Sequence, residues 1–417
     1  MNSFSWGSRE HDASVAAPLR GVRVLDLSRL LSGPFATHLL GNLGAEIIKV
    51  ERPNGGDDTR RIAPLISGES FYFMSVNTNK RSVVVDLKHD KGRRIVHELA
   101  RDADVLLENF RPGVAERLGL GFDELHARNQ RLVYCSVSAF GQDGPWAQRG
   151  AFDLVVQALS GVMSVTGQPE GPPVRLGLPM GDLSAGIFAA IGVLGALVER
   201  STTGVGQHID VAMLDSSIGL LGYLSGWALM LGESPPRAGN GHQSLVPYGV
   251  YATSDGYVAV AVFTDPFWPK LCKALDLDEL AADERFDTIP NRVTRREEVD
   301  AAVGGAMKAL SLEEALARLV AHDVPHAPVL DVKQSLNLEQ VVVRGLVQTV
   351  THEGVGQVQV VGPVVRYAGK RRMEVSPSPV LGAHTVDVLT GLGYSPEEIE
   401  QLREERVIET PSREGSK

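Results

Sequence analysis

The chain has 417 residues and a formal net charge of −10, from 41 Lys and Arg against 51 Asp and Glu. That balance argues against a general nucleic-acid binder, which needs a basic excess, but leaves room for an anionic ligand on a local basic cluster. A composition 43% hydrophobic and 22% charged belongs to a globular protein, and the length predicts two domains.

Residues 1–17 contain acids and lack the apolar run of a leader, so they read as a loose tail. From residue 18 short strands rich in β-branched residues alternate with amphipathic helices. "GVRVLDL" (21–27), "AEIIKVE" (45–51), "SVVVDL" (82–87), "ADVLLENF" (103–110) and "RLVYCSVSAF" (131–140) are the expected strands. Helices are expected over "FATHLLGNLG" and "KGRRIVHELARD". This alternation predicts a Rossmann-like parallel sheet with helices on both faces. Ligands bind beyond the carboxyl ends of such strands, which points to the loops starting at Arg29, Arg52, Lys88 and Asn109.

Further helices are expected at 153–160 and 182–200, then a strand "HIDVAML" and an apolar helix at 215–232. The segment "GESPPRAGNGHQS" (232–244) is rich in Pro and Gly and reads as a linker or mobile loop. A hairpin at 249–263 on an Asp-Gly turn, with helices at 266–275, 296–309 and 311–322, predicts a smaller α+β domain. "VGQVQVVGPVVRYAG" resembles another hairpin, and the last helices are expected to pack back on the first domain. The boundaries are then a tail at 1–17, a large domain at 18–205 with 385–410, a linker at 206–240, a small domain at 241–330 and a returning linker at 331–384.

The longest apolar stretches, 186–198 and roughly 216–232, are interrupted and fall short of the ~20 residues of a membrane span. Cys135 and Cys272 sit in apolar contexts without C-x-x-C spacing, as buried reduced thiols would. A cytoplasmic chain is expected, with neither membrane nor nucleic acid as a partner.

No dinucleotide fingerprint, P-loop, H-E-x-x-H or G-x-S-x-G motif occurs, and the histidines lack metal spacing. No metal and no permanently bound cofactor are expected. By residue type alone Asp182, in "PMGDLSAG", reads as a helix cap. Arg29, Arg52, Lys88 and Arg117 read as solvated charges, and "GNGH" as a turn.

The ordered blocks change that reading. "GVRVLDLSRLLSGP", "LGAEIIKVERPNGGDDTR", "NTNKRSVVVDLK", "ADVLLENFRPGVAERLGL", "GAFDLVVQALSG", "RLGLPMGDLSAG", "GQHIDVAMLDS" and "GNGHQSLVPYGVY" resemble the class III coenzyme A transferases over residues 18–407. The resemblance implies that Asp182 is a nucleophile taking CoA from an acyl-CoA through a mixed anhydride and an aspartyl-CoA thioester, which a second carboxylic acid then receives. The helix N-terminus is expected to keep Asp182 ionised, and Gly181 to leave room for the acyl group. It further implies that Leu30, Leu31 and Ser32 lie along the pantetheine and adenine, and that Arg52, Lys88, Arg117 and Arg149 meet the phosphates. Val85, Asn109, Phe110 and Leu118 would line the nucleotide pocket. Gly239, Asn240, Gly241 and His242 would form a mobile lid, where His242 either binds the acceptor carboxylate or packs the loop.

The family also contains 2-methylacyl-CoA racemases, which carry a histidine where this chain has Phe152. Without a second base, transfer is the expected chemistry and racemase or epimerase activity the alternative, a non-catalytic CoA-binding protein being a further one. The substrates implied are an acyl-CoA thioester, with succinyl-CoA as donor, and a small carboxylic acid. Family members form homodimers whose chains are interlocked rings, and the two linkers fit such a ring.

Overall fold

A computed structural model describes residues 12–411 of the chain. Its chain divides into two compact units, one drawn from Met1–Ser160, Gly177–Leu220 and Glu339–Lys417, the other from Gly161–Leu176 and Leu221–Leu338.

The first unit is built on a seven-stranded sheet. Strands β1 (Arg23–Asp26), β2 (Glu46–Glu51), β3 (Lys80–Val85), β4 (Val105–Glu108), β5 (Val133–Ser138) and β6 (His208–Ala212) are mutually parallel. The C-terminal strand Ile408–Glu409 closes the outer edge antiparallel to β3. Across the sheet the order is Ile408–Glu409, β3, β2, β1, β4, β5, β6. The chain steps outward from β1 to β3 and then crosses back to β4, so the order reverses between β1 and β4. That reversal opens a crevice at the carboxyl ends of these two strands.

Both faces of the sheet are covered, which is why its strands read as continuous apolar runs rather than alternating ones. Leu25, Val83, Val85, Ile95, Leu99, Leu106 and Tyr134 fill one face with the C-terminal residues Val388 and Leu402. Val24, Ile47, Val105, Leu107, Val133 and Cys135 fill the other, against Ala36, Ala185, Ala189 and Val193.

Three helices follow the first strands: α1 (Ser32–Asn42), α2 (Phe71–Val76) and α3 (Asp90–Asp102). In α3 the buried residues Gly92, Ile95, Val96, Leu99 and Ala100 make one stripe, as an amphipathic helix on a sheet requires. Helix α4 (Asp153–Leu159), the long α5 (Met180–Thr203) and α6 (Met213–Gly219) complete the site-bearing side. A line of small residues lets α1 and α5 touch: a Cβ on Gly186 would stand 2.8 Å from the Ser32 carbonyl oxygen and 2.9 Å from the Phe35 ring.

The second unit carries a three-stranded antiparallel sheet of β7 (Tyr248–Ala252), β8 (Tyr257–Ala261) and β9 (His326–Pro328). Its core gathers Val258, Val260, Trp268, Leu271, Phe286, Val299 and Leu319. Arg292 is fully buried there and donates to the carbonyls of Val246 and Phe286 and to Asp265.

Several expectations need correction. Residues 206–240 are no linker: they supply β6, α6 and helix α7 (Tyr223–Leu231), and the apolar stretch 215–232 is broken between α6 and α7. The break falls at Gly222, whose φ of +55° suits glycine. Residues 331–384 hold short helices and the hairpin Val347–His352 with Gly356–Val361. Residues 161–176 join the second unit rather than the first. Of the expected tail, 1–11 lie outside the described residues, while 12–17 are tied down by Asp12–Arg371 and by the Ala16 N–H on the Arg371 carbonyl. Helix α5, at 24 residues, is long and apolar enough to cross a membrane, contrary to the reading of its sequence. Its buried residues, among them Ala185, Ala189 and Val193, pack in the face described above.

Candidate active site

The crevice at the order reversal is framed by buried charges that hold the β1–α1 loop in one conformation. Lys49 bonds the Ser28 carbonyl at 2.7 Å and pairs with Asp57 at 3.0 Å. Lys80 bonds Asp26 at 3.0 Å, the Pro34 carbonyl at 2.8 Å and Asn77 at 2.9 Å. Arg60 grips Glu51 with two bonds of 2.7 Å, and Glu51 also accepts from Ser82. Charges withdrawn from water this thoroughly persist only because each is paired and hydrogen-bonded. Opposing partners hold Asp26 well below the ordinary carboxylate range, while burial takes Lys80 down to about 8.

On that platform the loop is set from two sides. Asn109, just past β4, accepts from the Arg29 N–H at 2.8 Å and donates to the Arg29 carbonyl at 2.7 Å. Asp57 accepts from the Leu30 N–H at 3.2 Å. Leu30 is held at φ +67°, a left-handed conformation a leucine adopts only when its surroundings impose it. The turn delivers Ser32, buried, to the start of α1.

Asp182 lies in the first turn of α5, not at its cap; the cap position is Pro179, which has no capping side chain. The orphan N–H groups there are met from outside, by Asp153 of α4, which accepts from the Gly181 N–H at 2.7 Å. Gln157, fully buried, donates to Asp153 at 2.7 Å and to the Leu178 carbonyl at 3.1 Å. Gly181 serves this packing rather than an acyl group: a Cβ would meet Asp153, Val156 and Met213 at 3.2–3.3 Å.

Burial and the neighbouring Asp153 charge raise Asp182 to about 6, against the lowering effect of Ser32. The helix N-terminus was expected to help keep it ionised; burial and Asp153 work against that, and a group at about 6 is still mostly ionised at neutral pH. Tyr72 of α2 faces the same acids: burial, then the charges of Asp182, Asp57 and Asp153, push its phenol up to about 12. Asp153 and Tyr72 were not singled out from sequence; the "FD" of "GAFDLV" was read only for Phe152, which is exposed.

The expected CoA residues fall at the carboxyl edge with mixed outcomes. Arg52 and Arg29 both pair with Asp58, Arg29 at 3.4 Å. Lys88 and Arg117 are exposed, as phosphate ligands need to be. Phe110 and Leu118 are half-buried against the core, leaving part of each side chain accessible. Leu31 is buried and Leu30 half-buried. Val85 is corrected: it is fully buried, paired with Ile408, and offers no surface to a ligand. Arg149 is exposed and lies over the rings of Trp146 and Phe140, at 5.1 and 5.7 Å from their centroids.

In the second unit the loop of Gly239, Asn240, Gly241 and His242 is more tightly held than a free lid. Arg296 donates to the carbonyls of His242, Gln243 and Leu245. The His242 ring stacks on Tyr223 and meets Tyr248 edge-on, and its Nδ1 accepts from the Ser244 N–H at 3.0 Å. Burial and Arg296 lower its pKa, so the ring is neutral and packs the loop. That geometry favours the packing role over anion binding.

Residues 19–385 match CoA-transferase family III. The chain is 39% identical to the succinyl-CoA:glutarate CoA-transferase of Mus musculus, over 97% of this chain and 93% of that protein. It is 42% identical to the acetyl-CoA:oxalate CoA-transferase of Acetobacter aceti, over 80% of this chain and 86% of the relative. The crystal structure of a CAIB/BAIF family protein from Brucella suis superposes with a TM-score of 0.82 at 36% identity, covering 90% of this chain and 99% of that one. With its seven-stranded sheet and Asp182 in the first turn of the long helix α5, the chain belongs to CoA-transferase family III, the class III CoA-transferases.

Proposed function

We propose that the protein moves CoA from an acyl-CoA donor to a carboxylic acid through covalent intermediates on Asp182. The observation that supports this reading is Asp182 itself: a half-buried carboxylate in the first turn of α5, raised to about 6 by burial and by the charge of Asp153. At neutral pH such a group is still mostly ionised, yet is more basic than an ordinary aspartate and hence a better nucleophile. Its oxygen attacks the thioester carbonyl, the C–S bond breaks, and CoA leaves as thiolate from a mixed anhydride. The thiolate attacks the Asp182 carbonyl and the donor acid departs, leaving an aspartyl-CoA thioester. An acceptor carboxylate repeats the two steps in reverse and takes the CoA, restoring Asp182.

Arg52, Lys88 and Arg117 meet the CoA phosphates, with Arg149 a further cation. Leu30, Leu31, Phe110 and Leu118 border the pantetheine and nucleotide. Water would hydrolyse the thioester and waste its energy, so the site is closed to it during turnover. Phe152 supplies no titratable group for α-proton exchange, which supports transfer over racemisation. The names of the relatives support succinyl-CoA as donor and a small dicarboxylate as acceptor.

The working unit in this reading is an interlocked homodimer in the cytoplasm. Its support is the apolar surface left uncovered in each unit: Ile191 and Val198 on α5, and Leu229 and Met230, each 85% exposed, on α7. The two cysteines are free and buried, which suits a reducing compartment. Incubation with succinyl-CoA is expected to add a CoA-sized, hydroxylamine-sensitive mass to the wild-type chain and none to Asp182→Ala. An undiminished adduct on that variant would remove Asp182 from the reaction. Light scattering that finds a monomer would remove the dimer.

A further inference from the structure

The N-terminus of α5 has no cap of its own, because Pro179 occupies the cap position and makes no side-chain hydrogen bond. The acceptor is imported from α4, where Asp153 and Gln157 stand four residues apart on one face. Asp153 Oδ1 accepts from the Gly181 N–H at 2.7 Å, and its Oδ2 accepts from Gln157 Nε2 at 2.7 Å. The same Nε2 donates its second proton to the Leu178 carbonyl at 3.1 Å. Leu178 and Gly181 are thus gripped on either side of Pro179 and Met180, and the proline ring stiffens the turn between them. A Cβ on Gly181 would already meet Asp153, Val156 and Met213, so little room is left for the turn to move towards α4 or α6.

Resting on the reading of Asp182 as nucleophile, we infer that Asp153 and Gln157 are positioning residues, a bracket on α4 that fixes the 178–181 turn and so aims Asp182, the next residue. A carboxylate in the first turn of a helix is ordinarily drawn to the orphan N–H groups there. With Asp153 on the Gly181 N–H, that duty is taken from Asp182, and its side chain is left for the thioester. Gln157 is fully buried, a costly place for an amide, and both protons of its Nε2 go to the bracket. The two residues act through the backbone that carries Asp182 and not on the acyl group. Loss of such aim is read in turnover rather than in binding, because it misplaces the attacking oxygen and leaves the CoA-binding loops as they were.

The test is single-turnover formation of the CoA adduct at pH 8, where Asp182, raised to about 6, is ionised, with the KM for acyl-CoA measured alongside. Gln157→Met keeps the length and bulk of the side chain and withdraws both protons. It is expected to slow adduct formation at saturating acyl-CoA by on the order of 10-fold, with KM within about 2-fold of wild type. Asp153→Ala removes the acceptor and should lose at least as much, whereas Asp153→Asn keeps an oxygen for the Gly181 N–H and should recover most of the rate. Gln157→Met/Asp153→Ala should lose no more than Asp153→Ala alone, because the two act in series. Leu99→Ala in α3 lowers stability through the opposite face of the sheet and should leave both constants near wild type.

A Gln157→Met variant that melts lower yet keeps the wild-type rate overturns the inference, since the bracket would then only stabilise the fold. So does a variant that raises only KM, an Asp153→Asn variant as slow as Asp153→Ala, a Leu99→Ala variant slowed as much, or losses that add. If Gln157→Met does not fold, the Asp153→Ala and Asp153→Asn pair still decides whether the imported acceptor aims Asp182. The site of the adduct separates the two readings. A wild-type adduct mapped to Asp182 with an unchanged rate in Gln157→Met sinks only the bracket, whereas an adduct elsewhere sinks the nucleophile itself.

Discussion

Asp153→Asn isolates the second cause of the unusual basicity of Asp182. The substitution keeps an oxygen to accept from the Gly181 N–H and removes one negative charge from beside Asp182. Asp182 stands at about 6 against an ordinary 3.8, a gap of about two pH units or ~3 kcal/mol between its two protonation states. Burial is the larger cause and stays in place, so the charge of Asp153 accounts for on the order of one pH unit. Only the ionised form attacks, so the acid limb of thioester formation should fall from near pH 6 to near pH 5. At pH 5 about a tenth of the wild type is ionised and about half of the variant, so the variant should keep roughly five times more of its own plateau rate. Rapid-quench mass spectrometry of the CoA adduct from pH 4.5 to 8 reads this directly. A limb that stays put, or moves upward, refutes the electrostatic coupling of the two aspartates.

Three other outcomes are expected. Asp182→Asn abolishes the adduct yet raises the melting temperature near pH 8. The folded-state pKa lies above the unfolded one, so ionisation costs up to ~3 kcal/mol above pH 6, less what solvent screens, and the gain should vanish below pH 4. Asp58→Asn releases Arg29 and Arg52 from a shared exposed carboxylate, so the KM for acyl-CoA should fall up to a few-fold at low salt and converge with wild type at high salt. Gly186→Val drives a side chain into the Ser32 carbonyl and Phe35 ring, and should cost about 1–3 kcal/mol in urea unfolding. Its kcat should drop more than its stability suggests, because the displaced helix carries Ser32.

The architecture of the first unit is legible in runs such as "VLD", "EIIKVE" and "VLLE", because a parallel sheet buried on both faces demands them. The same property hid which way each residue points: Val85 reads as well at a strand's open end as in its core, and it lies in the core. Asp182 was legible only through the ordered blocks, since an aspartate before an apolar helix also reads as a cap. The true capping carboxylate, Asp153, comes from 28 residues upstream, and no local pattern announces a partner at that range. Lys49 lies inside an expected strand and Lys80 just before one, and no local pattern announces that both are fully or nearly fully buried against Asp57 and Asp26. The linker at 206–240 was misjudged because its Gly and Pro cluster at one end, beyond the residues that form β6 and α6.

The strand Ile408–Glu409 lends the edge of the sheet a significance for synthesis. It covers β3, formed more than 300 residues earlier, and the Glu409 carboxylate also accepts from the Asn54 N–H. An uncovered parallel edge is a template for pairing with other chains. The nascent chain therefore carries an open edge until residues 408–409 have been made, so the sheet is completed more than 300 residues after β3. A truncation just before Ile408 would leave every proposed catalytic and CoA-binding side chain present, in a protein prone to aggregate.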